Sequence, residues 1–211
     1  MIAGFCCDES KKDGWKWIWA SDEIFTVRKL SLILDENSLA IGNNSTETIR
    51  NSLVPKKVEI FVWRTLKKRL PVRIERVDLH SVRCPLCDDE IESLDHTFIF
   101  CSHAIKVWDR VFNWWGLGNL SNLSFNEILR GNAGVPMSNF GRKVWQAVEW
   151  VSAYHIWINR NNMVFHGKSW NPPVALNVIQ SKSFEWISRR SKGKNIDWLI
   201  WLSNPNSYFT L

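Results

Sequence analysis

Two cysteines, a histidine and a third cysteine follow one another with the spacing C-x2-C-x8-H-x4-C, at Cys84, Cys87, His96 and Cys101. Thiolate sulfur and imidazole nitrogen are ligands that Zn²⁺ binds in a tetrahedron. A C-x2-C turn can aim two thiolates at one ion, and His96 and Cys101, near one helical turn apart, can close the other side. The spacing predicts one structural Zn²⁺, because all four positions are filled by protein and none is left for an activated water.

Other assignments of these residues stay open at this point. The four could co-occur by chance, with Cys101 a buried thiol and His96 a surface residue. His103 and His80 are close enough in sequence to compete as ligands, and His103 is the main substitute for His96. A redox C-x-x-C is disfavoured because no βαβ pattern adjoins it.

Carboxylates crowd the same segment. Asp95 could cap the helix that starts at His96, or act as an outer partner of an imidazole. The others suggest a solvated acidic loop rather than a second metal site: Asp88, Asp89, Glu90 and Glu92.

Charge is distributed unevenly around the cysteines. Residues 56–83 contain nine Lys/Arg and three Asp/Glu, whereas residues 84–109 contain one Lys and six Asp/Glu. A local basic excess favours phosphate binding, and the competing interpretation is a merely solvated basic face. Trp63 could stack on bases but is expected in the core. The candidate nucleic-acid-binding residues are Lys56, Lys57, Arg64, Lys67, Lys68, Arg69, Arg73 and Arg76.

A helix is predicted from Pro55 to Pro71. Proline is tolerated in a first helical turn and stops a helix that reaches it. Val58, Val62 and Leu66 repeat every four residues and continue to Leu70 as an apolar stripe.

The rest of the chain predicts a mainly α fold. The fold is a small zinc-stabilised helical domain followed by a Trp-rich helical C-terminal region, with a short strand pair near Trp15–Trp19. The predicted segments are an N-terminal Trp-rich segment (1–50), a zinc-binding domain (51–118) and a helical C-terminal region (119–211). Further helices are expected at 73–79, 102–115 (burying Ile105, Trp108 and Phe112), 125–129, 139–165, 174–189 and 197–202. The helix at 139–165 is apolar nearly all round and is expected to be central to its bundle, and the last helix is expected to pack back through Trp198 and Trp201.

Composition narrows the class of protein. Fourteen tryptophans in 211 residues predict a core dominated by indoles. No secretory signal and no apolar run of membrane-spanning length is visible, which favours an intracellular protein. Five cysteines, an odd number, favour thiol or metal chemistry over disulfides, and Cys6 and Cys7 are expected to be plain thiols.

Together these strings resemble the zinc-binding domain that follows the reverse transcriptase in plant LINE-type (non-LTR) retrotransposons. The matching pieces are Val54-Pro55-Lys56-Lys57-Val58, Phe61-Val62-Trp63-Arg64, Arg69-Leu70-Pro71, Cys84-Pro85-Leu86-Cys87, Glu92-Ser93, His96-Thr97-Phe98, Cys101 and Val107-Trp108. Trp157-Ile158-Asn159-Arg160-Asn161 is similar to the tail of such elements. The stretch 71–84 is several residues shorter than is usual in the family.

The resemblance implies a parent polyprotein that is an RNA-directed DNA polymerase acting in the nucleus. This chain has no polymerase, endonuclease or ribonuclease H motif, so it is expected not to be an enzyme on its own. It resembles a C-terminal fragment of such a polyprotein. Its expected partner is RNA or DNA, bound without sequence preference. Neither a membrane nor a small-molecule substrate is expected among its partners. The alternative is a helical scaffold that docks on a reverse transcriptase core through Trp114, Trp115, Trp150 and Trp157, or an inactive relic.

Overall fold

The computed structural model describes residues 26, 29–30, 50–72, 82–118, 124–131 and 137–209. The chain divides into two units, Met1–Glu47 and Thr48–Leu211. In the first unit, the amide of Leu30 donates to the carbonyl of Thr26 at 3.0 Å, which forms one helical turn. The strand pair predicted near the N-terminus, the helix predicted at 73–79, Cys6 and Cys7 all lie outside the described residues.

The described part of the second unit is mainly helical, as the sequence predicts. Only an isolated antiparallel bridge, Arg83 with Ile91, is present among these residues. A π-helical turn spans His96–Phe100 and a 3₁₀ turn spans Pro205–Tyr208. The helices are α1 (Lys56–Leu66), α2 (Ser102–Trp114), α3 (Phe125–Arg130), α4 (Asn139–His166), α5 (Pro172–Arg190) and α6 (Trp198–Ser203).

Helix α1 begins directly after Pro55 as predicted, but it ends at Leu66, one turn before Pro71. The prediction of its end is wrong because the backbone of Lys68 turns into the left-handed region, with φ 53°. The amide of Arg69 then donates to the carbonyl of Arg64 at 2.7 Å, five residues back. This bond and that from Lys68 to Thr65 form a Schellman cap.

Helix boundaries elsewhere follow the glycines, prolines and small polar residues in the sequence. Gly167 ends α4 in the left-handed conformation that a glycine adopts without strain. Pro172 opens α5, and the carboxylate of Asp197 accepts from the amides of Leu199 and Ile200 at the start of α6. These predicted helices are confirmed to within a few residues at each end.

Helix α4 is central to this unit, as its nearly continuous apolar sequence predicts. It packs against α1, α2, α3 and α5 and against the π-helical turn. The unit therefore includes residues from both the predicted zinc-binding domain (51–118) and the predicted C-terminal region (119–211), and their buried side chains form one hydrophobic core.

Buried indoles dominate that core, and several donate their N–H to a backbone carbonyl. Trp108 donates to Phe98 at 2.7 Å, and Trp150 donates to Leu129 at 2.7 Å. Each such bond satisfies a polar group that would otherwise be costly to bury. The fully buried indoles are those of Trp108, Trp115, Trp145, Trp150 and Trp201.

Three apolar side chains depart from the sequence-based expectations. Trp63, expected in the core, is 44% exposed, and Ile105, expected to be buried by α2, is 42% exposed. Trp198, expected to pack back on the bundle, is 37% exposed, although its ring contacts Phe184 edge-on at 4.8 Å. Conversely, the indoles proposed for docking on a partner are buried within this chain: Trp114, Trp115, Trp150 and Trp157.

One carboxyl group is enclosed in the core. Neither oxygen of Glu149 has a hydrogen-bond partner among the described residues. Burial raises the pKa of Glu149 well above its usual value, and the nearby indole of Trp145 offsets only part of this effect. Burial therefore favours the protonated form of this carboxyl group in the folded protein.

Replacing Glu149 by glutamine should make stability less dependent on pH. Because the folded-state pKa is raised above the ordinary value of 4.5, the wild-type free energy of unfolding should fall as pH rises above that value, equivalent to at most about a factor of ten in the folding equilibrium per pH unit. The fall should stop at the folded-state pKa. Urea unfolding of Glu149→Gln and wild type between about pH 6 and about pH 8 measures the difference. If the difference in unfolding free energy between Glu149→Gln and wild type does not widen as pH rises, the raised pKa of Glu149 is contradicted.

Candidate metal centre

The first two cysteines lie on a tight turn closed by a short antiparallel pairing. The amide of Cys84 donates to the carbonyl of Glu90 at 2.7 Å, and the amide of Asp88 donates to the carbonyl of Cys84 at 2.8 Å. Asp88 adopts a left-handed conformation, with φ 59°, which aspartate tolerates better than most residues. The turn places the thiols of Cys84 and Cys87 on the same side.

His96 and Cys101 are brought together by the π-helical turn. In an α-helix, residues five apart are rotated by about 140° from each other around the axis, which would separate these ligands. Here the amide of Cys101 donates to the carbonyl of His96 at 2.7 Å, a bond to the fifth residue back. Such turns are rare and are found frequently at functional sites. The spacing alone did not predict this turn.

The four side chains present one ligand atom each to a common point, with all four atoms within 4.8 Å of one another. The sulfurs of Cys84 and Cys101 are 3.9 Å apart, and the sulfur of Cys87 lies 3.3 Å from Nε2 of His96. A zinc tetrahedron has edges of roughly 3.8 Å between two sulfurs and roughly 3.5 Å between sulfur and nitrogen. The donor set and its geometry fit a single Zn²⁺.

Two of the three cysteine sulfurs are buried side by side and share a hydrogen bond. Cys84 and Cys101 are completely buried. The hydrogen bond between their sulfurs lowers the pKa of Cys101 and raises that of Cys84, and burial raises the pKa of Cys84 further. The amides of His103 and Ala104, at the start of α2, also lower the pKa of Cys101. A cation that replaces the shared proton would be held by two thiolates away from water.

Ser93, rather than Asp95, caps the segment that carries His96. The hydroxyl of Ser93 accepts from the amide of His96 at 3.0 Å, whereas the side chain of Asp95 is exposed and makes no capping hydrogen bond. The prediction that Asp95 caps this segment is therefore wrong. The Ser93 hydroxyl lies three residues before the amide that it caps, which is the spacing typical of an N-cap.

The alternative histidines lie elsewhere. His103 is not part of the four-residue group, and its ring stacks on that of Trp170 at 5.4 Å. Burial first, and then Lys106, lowers the pKa of His103. His80 lies outside the described residues. Among the described residues, His96 is the histidine that the fold places with the three cysteines.

Glu92, expected in a solvated loop, is instead buried in an ion pair with Arg160 of α4. Its two oxygens accept from Nε and Nη2 of Arg160 at 2.6 Å each, and the side chains are 0% and 3% exposed. The guanidinium also lies 5.0 Å from the ring centroid of Trp157. The pair fastens the metal-binding segment to the central helix. In the sequence, the feature that points to this ion pair is an arginine within the mostly apolar stretch that forms α4.

The predicted basic residues occupy unequal environments. Arg64, Lys67, Lys68 and Arg69 are all exposed, around the C-terminal end of α1, and together they are called the basic cluster below. Lys56 pairs with Glu59 at 2.6 Å. Lys57 lies over the rings of Tyr154 and Trp186, at 5.8 Å and 5.4 Å from their centroids. Arg73 and Arg76 lie outside the described residues.

Comparison with known protein families supports the metal centre. Residues 25–108 match a family model described as zinc-binding in reverse transcriptase. The matched range contains α1 and all four residues of the metal group and ends before α4, so Arg160 lies outside it. No curated protein and no solved structure matches the chain. Over these residues the chain is thus similar to zinc-binding domains of the reverse-transcriptase type. No described helix is long and apolar enough to cross a membrane.

The metal centre predicts one zinc per chain, coupled to folding. Cys84→Ser and Cys101→Ser should each abolish stoichiometric zinc and reduce helical circular dichroism, because the loss of one thiolate removes the free energy with which the metal stabilises the two ligand turns. Elemental analysis with circular dichroism measures both. The double variant Cys6→Ser/Cys7→Ser is the control and should retain the metal. A folded Cys101→Ser protein with full zinc content would contradict the assignment.

Removing one charge of the ion pair should cost more stability than removing both charges together. Glu92→Gln leaves the buried guanidinium of Arg160 without its counter-charge and should cost about 3–5 kcal/mol of unfolding free energy. The double variant Glu92→Gln/Arg160→Met should recover much of that loss, because no unpaired charge remains. Urea unfolding of the zinc-loaded proteins tests both. Additive losses in the double variant would show that the two side chains do not interact.

Proposed function

We propose that this chain is a non-catalytic, zinc-stabilised module that binds nucleic acid without sequence preference through the basic cluster. The zinc has a structural role here, because four protein ligands leave no position for an activated water. The observation that carries the proposal is the exposure of all four cations of the basic cluster on one helix end.

The local charge supports phosphate binding. No Asp or Glu occurs between residues 60 and 74, so the sequence around the basic cluster supplies no internal counter-charge. The acid of α1, Glu59, already accepts from Lys56 and from the amide of Asn51. Cations without local acidic partners neutralise phosphates and release their counterions, which gives affinity without base readout.

The Schellman cap strengthens this argument because it fixes the backbone of the cluster. The backbone amides of Lys68 and Arg69 donate hydrogen bonds to the carbonyls of Thr65 and Arg64, and a guanidinium nitrogen of Arg64 lies 3.4 Å from the carbonyl oxygen of Arg69. The cations therefore project from a defined turn rather than from a free chain end. Less conformational entropy is lost when such groups bind a ligand.

The wider role follows from the resemblance to plant LINE-type retrotransposons and from the reverse-transcriptase family match. We infer a C-terminal fragment of an RNA-directed DNA polymerase that would hold RNA or DNA close to the polymerase in the nucleus. A tethered binding site raises the local concentration of its ligand without any contact at the polymerase active centre. A reverse transcriptase core is the protein partner that this role implies.

A second candidate is a helical scaffold that docks on that core. The indoles first considered for this role are buried, but α6 presents a different apolar surface. Leu199 is 72% exposed, and Trp198 and Ile200 beside it are also exposed. Patches of this kind can mark protein contacts. Failure of nucleic-acid binding in the titration below would favour this role.

Nucleic-acid binding should be strongly salt-dependent. Neutralising four phosphates of a single strand gives a slope of about −2.8 in log K against log salt, a loss of roughly 50-fold between about 50 mM and about 200 mM salt. Fluorescence anisotropy with a labelled single-stranded RNA measures it. Arg64→Gln/Lys67→Gln should roughly halve the slope.

The matched control is Lys168→Gln/Lys192→Gln, which removes two exposed lysines outside the basic cluster. It carries the same net charge as the test variant, so a general charge effect would change both equally. Absence of binding by the wild type at the lower salt concentration would refute the proposed function.

A further inference from the structure

Trp63 is the largest side chain exposed on α1, and neither the zinc centre nor the core explains its exposure. Its neighbours Val62 and Thr65 are almost completely buried, whereas the indole of Trp63 is nearly half exposed. The burial of a tryptophan is a large source of stabilising free energy. An indole left on the surface beside cations is a typical element of single-strand binding sites.

The indole is already paired with a cation of the basic cluster. The guanidinium carbon of Arg69 lies 5.3 Å from the ring centroid of Trp63, within the range of a cation–π interaction. The Schellman cap sets the position of Arg69, through the hydrogen bond that its backbone amide donates to the carbonyl of Arg64. The two flat groups are therefore arranged before any ligand arrives.

One turn earlier on the helix, Ile60 extends the apolar surface. It is exposed on α1, three residues before Trp63, and residues three apart are neighbours on a helix. The surface thus combines an aromatic plane, an aliphatic side chain and four cations. In a duplex the bases are stacked inside and are not accessible to such an aromatic plane, whereas an unpaired base can stack on it.

From this arrangement we infer that Trp63 and Arg69 form a stacking site for an unpaired nucleobase, which makes the module selective for single-stranded nucleic acid. This inference rests on the proposed function, since the basic cluster must first hold the phosphates. It assigns a different role to the indole: the cations supply affinity for any phosphate backbone, and Trp63 distinguishes a strand with accessible bases. An aromatic docking patch for a protein is less suited to this surface because of its dense positive charge.

The test uses the zinc-loaded full chain and three labelled ligands of equal length, about 12 nucleotides, which spans a typical single-strand site. They are an oligothymidine, the same backbone with abasic positions, and a duplex. The wild type should bind oligothymidine between about 5-fold and about 100-fold more tightly than the abasic strand. Trp63→Ala should remove that preference and leave affinity for the abasic strand unchanged, and Trp63→Phe should retain most of it.

Trp198→Ala is the matched control, because it removes another partly exposed indole, beside Asp197 rather than beside cations. It should leave all three affinities unchanged. Equal wild-type affinity for oligothymidine and the abasic strand would overturn the stacking site and leave phosphate binding intact. An equal loss for both strands in Trp63→Ala, or no loss in either, would also overturn it. No binding to any ligand would overturn the proposed function as well.

Discussion

Zinc requires four ligand atoms at the corners of a tetrahedron whose edges are only about 3.5–3.8 Å long, and the chain must meet this requirement with two short segments. The Cys84–Cys87 segment meets it with a turn closed at left-handed Asp88. The His96–Cys101 segment meets it with a π-helical turn. Each is a locally unusual backbone conformation. The tertiary structure must stabilise both of them, and the metal adds the remaining free energy.

The remaining packing is organised around this requirement. Cys101 precedes α2 directly, so the metal fixes the start of a helix that packs on the bundle. Phe98, within the π-helical turn, stacks on Phe125 of α3 at 4.4 Å and accepts the indole N–H of Trp108. Together with the ion pair between Glu92 and Arg160, these contacts join the metal segment to the helices. The metal centre and the C-terminal helices therefore share one hydrophobic core.

Much of the metal centre could be predicted from the sequence, because ligand type and spacing are local properties. The same is true of most helix ends, since Gly167, Pro172 and Asp197 act on the backbone where they stand. The end of α1 was missed because left-handed Lys68 has no sequence signature of its own. A glycine at that position would have signalled the cap.

The partner of Glu92 could not be found by such reasoning, because pattern rules do not connect an acidic loop with an arginine 68 residues away. The exposure of Trp63 was also missed, since an apolar stripe tells which residues can face a core but not how far that core extends along the helix. Both errors concern contacts between elements. They mark the limit of arguments made from local pattern alone.

The ion pair also makes two distant parts of the chain depend on each other. Six side chains, the four ligands together with Glu92 and Arg160, form this arrangement, and they are spread from the Cys84–Cys87 turn to the C-terminal half of α4. A change at either charged residue alone would leave a buried charge without its partner. Substitutions at this contact between the metal-binding segment and the central helix therefore cost least when both side chains change together.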